Sequence, residues 1–208
     1  MQEHTITTAR TARYFTLGEP ERATDLWFVC HGYGQLAARL LERFRPLEAP
    51  PRCVVAPEGL SRFYLSESPG ERRVGASWMT REDRLHEIDD YIRYLDAVYA
   101  AVALGKKSVT ALGFSQGTAT VCRWAALGTS RIDRLILWGG EVPPDLDLER
   151  LRTPKLVLVY GTRDEFFTPK IVAANEARLR EHHVPYELVS FEGGPVLDAV
   201  ALGRLISA

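Results

Sequence analysis

The segment Gly113-Phe114-Ser115-Gln116-Gly117 sets a serine in a G-x-S-x-G pattern, directly after the apolar run Val109-Gly113 and at the start of the apolar segment Gln116-Leu127. A serine at such a strand-to-helix turn is pushed out at the end of a sheet. Its hydroxyl can then attack an acyl carbonyl. Small residues two positions to either side let strand and helix approach closely. The plain alternative is a glycine-bounded turn whose serine only caps the helix.

Acyl transfer also needs donors aimed at the developing oxyanion. His31-Gly32-Tyr33-Gly34 follows the apolar run Leu26-Cys30, and its glycines free the backbone to turn amides toward a carbonyl. Tyr33 N–H and Gln116 N–H are the expected pair. The alternatives are that His31 is itself the functional group or that the loop is only a tight turn. A third segment, Tyr160-Gly161-Thr162-Arg163-Asp164, ends a later apolar run with an acid, in the chain order serine then acid. Asp164 is the expected partner acid and Glu165 the fallback, against a reading of Asp164 as an ordinary turn residue.

These groups need a parallel sheet to hold them. The runs Leu26-Cys30, Cys53-Ala56, Val109-Gly113, Leu135-Trp138, Leu156-Tyr160 and Glu187-Phe191 are continuously apolar rather than alternating, which predicts strands buried on both faces inside a sheet. Thr5-Ala12 and Arg13-Leu17 alternate more and predict an antiparallel edge hairpin. Between strands, Leu85, Ile88, Ile92, Leu95, Val98 and Val102 recur at three and four over Arg81-Leu104, predicting a helix capped by Thr80 with Asp83 and ended by Gly105. Thr168-Pro169 predicts another helix start, and Val196-Ile206 a final helix. The fold class expected is α/β: a mostly parallel central sheet with helices on both faces, in a single domain over residues 1–208.

The three motifs, with Ala56-Pro57-Glu58-Gly59, Ala76-Ser77-Trp78-Met79 and Phe191-Glu192-Gly193-Gly194, resemble the carboxylesterase and phospholipase branch of the α/β-hydrolases, relatives of the acyl-protein thioesterases. The resemblance spans nearly the whole chain. It implies an α/β-hydrolase fold and a serine hydrolase that needs no cofactor. Its substrates would be small-molecule esters, thioesters or lysophospholipids of short to medium acyl groups. It also implies that Trp78 lies near the site, with Phe63, Tyr64, Met79, Phe114, Phe166 and Phe167 available to line an acyl pocket. Trp78 is equally readable as core, and aromatic clusters such as the others form are more often plain core.

The same resemblance implies a histidine after the double glycine, to take the serine proton and return it to the leaving group. Here that position is Pro195. His182 and His183 end a helix at the opposite edge of the sheet, roughly 20–30 Å from Ser115 at 3.3 Å per strand residue. His4 lies in the edge region, while His31 and His86 are the two that the topology brings nearer. Loss of the base from a serine triad costs about 10⁴ to 10⁶ in turnover, so the expectation is an impaired hydrolase. The rival expectation is a catalytically inactive acyl-ligand binding module.

A net charge of -1 and a pI of about 6.5 give no field to attract nucleic acid or an anionic membrane. Residues 1–13 lack the apolar core of a signal peptide, and the apolar runs are too short for stable membrane insertion. Cys30, Cys53 and Cys122 sit among apolar neighbours, suiting buried thiols in a reducing, cytoplasmic setting. No His or Cys cluster has metal-ligand spacing, so no metal is expected. No G-x-G-x-x-G follows the first parallel strand, which argues against a dinucleotide-binding oxidoreductase. Arg72-Arg73 reads as solvated surface, and a homodimer is left open.

Overall fold

The computed structural model describes residues 1–66, 72–105 and 107–207, apart from the side chains of Leu47 and Ser207. Along the chain run β1 (Tyr14–Leu17), β2 (Asp25–Cys30), α1 (Ala37–Leu41), β3 (Arg52–Pro57), β4 (Ser61–Tyr64), β5 (Val74–Ser77), α2 (Arg84–Val102) and β6 (Ser108–Phe114). There follow α3 (Gln116–Leu127), β7 (Arg134–Trp138), β8 (Lys155–Gly161), α4 (Pro169–Glu181), β9 (Tyr186–Phe191) and α5 (Ala199–Ser207). Short 3₁₀ turns occupy Glu42–Leu47 and Leu148–Arg152. Seven strands form one sheet in the order β1-β3-β2-β6-β7-β8-β9. All neighbours are parallel except β1, which runs antiparallel to β3.

The continuous apolar runs have a direct physical cause. Along β2, Leu26, Phe28 and Cys30 enter the core shared with α2, α3 and α4, while Trp27 and Val29 enter the core shared with α1 and α5. Both faces are covered, so no position in the strand can be polar without cost. The three cysteines are unpaired and buried, and burial pushes the Cys122 thiol up to about 12.

Several expectations are corrected. Thr5–Thr11 is exposed and forms no strand, so only Tyr14–Leu17 of the expected edge hairpin adds to the sheet. β9 is an edge strand rather than an interior one, since it pairs with β8 alone. α2 starts at Arg84 and leaves Leu85 69% exposed, with Tyr91 fully buried in the stripe instead. Thr80 and Asp83 form no capping box: Asp83 adopts φ 49°, its carboxylate meets His86, and Thr80 donates to Glu87. α5 begins at Ala199, where Asp198 Oδ1 accepts from Ala201 N–H at 2.8 Å, so Pro195 precedes the helix instead of sitting in its first turn. The small antiparallel sheet of β4 and β5 was not anticipated; Ser61 faces Ser77 at one end and Tyr64 faces Val74 at the other.

Two contacts set the loops at the carboxyl end of the sheet. A methyl group built on Gly113 would meet the Gly117 carbonyl oxygen at 2.2 Å, and one built on Gly117 would meet the Cys30 carbonyl oxygen at 2.2 Å. The turn from β6 to α3 is therefore pressed against the end of β2, with no room for a side chain at either glycine. After β2, His31 is fully buried. Its Nε2 accepts from Gly59 N–H at 2.9 Å, which puts the ring proton on Nδ1, donating to Gly32 O at 2.8 Å. Trp78 stacks on this ring with centroids 5.0 Å apart and donates its indole N–H to His31 O at 2.8 Å. Burial holds the His31 pKa below the ordinary 6.5.

Gly117→Ala is expected to lower unfolding free energy by about 3 kcal/mol. Gly203→Ala, where a new methyl meets nothing within 4 Å inside α5, should raise it by about 0.5–1 kcal/mol; urea denaturation of the two variants checks the contrast. Because His31 resists protonation only when folded, its contribution to stability is intact above 6.5 and is lost as pH falls below that value. The urea midpoint should therefore drop as pH is lowered from about 7 to about 5. His31→Gln should be less stable but flatter over that window, isolating this term from His86, whose Asp83 contact raises its pKa and acts with the opposite sign.

Candidate active site

The sequence motifs converge on the carboxyl edge of the parallel strands, where side chains from separate loops can face one ligand. Ser115 follows β6, the strand between β2 and β7. Its backbone takes φ 52° and ψ -116°, a conformation that L residues hold only under restraint, at about 1–3 kcal/mol. The restraint is visible. Ser115 N–H donates to Trp138 O at 2.9 Å, and Ser115 O accepts from Thr118 N–H at 2.9 Å. The side chain is exposed, and among the described residues no hydrogen bond reaches its hydroxyl.

The loop after β2 lies against this serine: a methyl on Gly32 would sit 3.2 Å from Ser115 Cβ. Gly32 N–H is taken by Gln35 Oε1 at 3.0 Å and Gly34 N–H by Ala76 O at 2.9 Å. The Tyr33 N–H between them has no partner among the described residues, and neither has the Gln116 N–H at the open start of α3. One unpaired amide thus sits on the loop that touches Ser115, and the other is next to it in the chain. The Gln116 side chain is occupied elsewhere: Oε1 accepts from Trp78 N–H at 3.2 Å and Nε2 donates to Met79 O at 2.9 Å. That clamp on the segment after β5 was not read from the sequence, although a glutamine beside the serine was the available signal.

Asp164 follows β8 and is 6% exposed. Its Oδ1 accepts from Phe166 N–H at 2.9 Å and Phe167 N–H at 2.8 Å, so the turn role weighed from the sequence is present. Oδ2 is left over and points toward Gly139, whose added methyl would lie 3.4 Å away. β8 stands two strands from β6, so the strand ends that carry Asp164 and Ser115 lie about 10 Å apart at the usual strand spacing, and no hydrogen bond joins the two side chains among the described residues.

The chain after β9 crosses this gap. Gly193 O accepts from Arg163 N–H at 2.8 Å, and Val196 O accepts from Trp138 Nε1 at 2.9 Å, which draws the segment back over β8 and β7. Pro195, lying between those anchors, is exposed and shares a cleft with Phe114 and Gly34. None of the histidines reaches Ser115 by hydrogen bond. His31 has both ring nitrogens engaged. His86 is exposed on α2 with Nδ1 on Asp83 at 2.6 Å, and that carboxylate raises its pKa. His182 and His183 are exposed beyond α4, and His4 lies on the exposed amino-terminal segment.

The expected substrate-lining residues divide. Tyr33 is 61% exposed and its ring meets half-buried Phe63 at 5.2 Å, so these two form a wall beside the unpaired Tyr33 amide. Phe114 borders the cleft, and Phe166 is 78% exposed next to Asp164. Trp78 is 2% exposed and Phe167 3%, so both are core: Trp78 supports the His31 loop from beneath. Met79 turns its sulfur to Arg123 and packs on the core, and Tyr64 is exposed under Arg72. Glu58, known from sequence only as part of a motif, is a buried carboxylate that accepts from Arg13 Nε at 2.7 Å and from Ala37 N–H at 3.3 Å, fixing the start of α1. Among the described residues no three His, Cys, Asp or Glu side chains gather as metal ligands, and no helix is long and apolar enough to cross a membrane.

The fold is shared with known proteins. Maize (Zea mays) acyl-protein thioesterase 2 superposes with a TM-score of 0.75 at 14% identity, covering 95% of this chain and 97% of the other. A carboxylesterase from Mesorhizobium loti gives 0.74 at 20% identity over 95% of each chain, and the esterase PE8 gives 0.70 at 20% over 95% and 97%. At such identities the likeness is one of fold. A search of curated protein sequences finds no match. The sequence profile of the alpha/beta hydrolase fold matches residues 48–188, which run from the approach to β3 through the serine turn and Asp164 into β9. With most of the chain matched, and with a parallel sheet carrying its serine at the strand-to-helix turn, the protein belongs to the alpha/beta hydrolase fold family.

Proposed function

We propose that this chain is a serine carboxylesterase-type hydrolase of short to medium acyl esters, thioesters or lysophospholipids, working through an acyl-enzyme on Ser115 and slowed by the lack of an imidazole base. The observation that carries this reading is the exposed Ser115 hydroxyl on a strained turn, with the unpaired amides of Tyr33 on the loop that touches it and of Gln116 next to it in the chain. In the first step the Ser115 oxygen bonds to the acyl carbon, the two amides hold the oxyanion, and the C–O or C–S bond breaks as the leaving group takes a proton from water. Water then attacks the acyl-serine, releasing the acid and restoring the hydroxyl. With Pro195 where the resemblance implies a histidine, the serine proton goes to solvent, and Asp164 Oδ2 has no ring to orient.

Neutral serine is a weak nucleophile near pH 7, so most of the rate would come from the amides and from binding, on the order of 10³ over water. Phe63 and Phe114 supply apolar surface for the acyl group. In the same reading the chain is one domain that needs no cofactor. Its buried, unpaired thiols suit a reducing compartment such as the cytoplasm. The second reading, an acyl-ligand binding module without turnover, draws on one specific observation: both nitrogens of His31, the histidine nearest the site in sequence, are already committed.

Hydrolysis of p-nitrophenyl butyrate by the parent, Ser115→Ala and Pro195→His tests the proposal. The parent should turn over slowly, Ser115→Ala should fall to background, and Pro195→His should gain about 10²-fold or more, as an imidazole enters between Ser115 and Asp164. Activity that survives Ser115→Ala, or a folded Pro195→His with no gain, would contradict it. A parent indistinguishable from Ser115→Ala, with Pro195→His active, would favour the binding module.

A further inference from the structure

We infer that the cleft lined by Phe114 and Pro195, which adjoins the serine turn through Phe114, binds an anionic group, a carboxylate or phosphate, carried by the ester itself. The inference rests on the hydrolase reading only for the word ester; the anion site stands on its own geometry. The cleft has a volume of about 570 Å³ and is bounded on the serine side by Gly34, Phe114 and Pro195. Its other walls carry Arg39 from α1, Arg43 from the following 3₁₀ turn, and Arg73 from just before β5. All three arginines are exposed, and none of their guanidinium groups has an ion-pair or hydrogen-bond partner among the described residues.

This concentration of charge needs a reason. Arg39 and Arg43 are four residues apart on one continuous helical stretch, a spacing that sets like charges against each other. Two residues on, Arg45 takes the neighbouring carboxylate, Glu42. The opposed pair is thus left facing the cleft while the local acid is spent elsewhere. Arg73 comes from a distant segment to join them. Among the described residues the lone carboxylate on the lining is Asp198, and its Oδ1 is held by Ala201 N–H at the start of α5. Guanidinium groups offer paired donors that match carboxylate and phosphate oxygens. α1 itself is pinned through Ala37 N–H to buried Glu58, so Arg39 is presented from a fixed element.

An ester with a terminal anion would therefore place its charged end among the arginines and its carbonyl near Tyr33 and Gln116. Titration calorimetry with the Ser115→Ala protein, in which turnover is absent, provides the test. The probes are monomethyl glutarate, methyl valerate of matched length, and inorganic phosphate. Monomethyl glutarate should bind at least about tenfold tighter than methyl valerate at low salt, and the difference should shrink as salt rises. Each of Arg39→Ala, Arg43→Ala and Arg73→Ala should weaken it about fivefold, as expected for an exposed charge contact, while Arg131→Ala, remote on a pair with Asp133, should leave it unchanged. Binding of phosphate with the same arginine dependence would show that the site reads the anion and needs no acyl chain. Equal affinity for the charged and neutral esters, or a preference that persists in all three cleft variants, would overturn the inference. Anion binding in a protein that hydrolyses nothing would leave this site standing and remove the hydrolase reading. Ser115-dependent hydrolysis without anion preference would do the reverse.

Discussion

The turn at Ser115 depends on a backbone that would not hold its shape in isolation. A left-handed φ at a residue with a side chain is unfavourable. It persists because β6 and α3 are locked to their neighbours through Gly113, Gly117, Trp138 and Thr118. That restraint turns the hydroxyl outward and leaves the first amide of α3 without a partner. Both properties follow from one close approach of backbone to backbone. The core contributes by holding β2 and β6 in register, Cys30 beside Gly113, so that the loop after β2 arrives against the serine.

A second set of contacts determines which polar groups stay free. His31, Trp78 and the Gln116 side chain satisfy one another's neighbours across three loops, and Gly32 and Gly34 give their amides to Gln35 and Ala76. What remains is the Tyr33 amide. A buried histidine used as a strut is neutral and cannot exchange protons with a ligand, since a ring with one nitrogen donating and the other accepting has no lone pair to spare. The same ring that frames the loop is thereby removed from the chemistry.

How far this could be read from sequence follows from the range of each interaction. The interior strands were legible because burial on both faces writes a continuous apolar run, and the serine turn because its glycines are required by local contact. β9 misled because an edge strand can also be apolar, and α5 because Val196 and Leu197 extend its pattern ahead of the true start at Ala199. Arg73 reads as solvated surface in the sequence, and Arg39 and Arg43 carry no signal there; only the fold brings two segments thirty or more residues apart to one cleft. Trp78 was placed near the site by resemblance; it is buried beneath the loop after β2, with its backbone N–H on the Gln116 side chain.

The central claim is that Ser115 is poised by backbone strain and two amides, with no imidazole to take its proton. The pH dependence of its modification by a fluorophosphonate, followed by peptide mapping, tests this most directly. Without an imidazole, labelling should fall on Ser115 alone and its rate should climb steadily with pH as the hydroxyl itself ionises. A rate that levels off above about pH 7 would reveal a histidine acting as base, and a folded protein left unlabelled at Ser115 would show that the turn does not present a nucleophile.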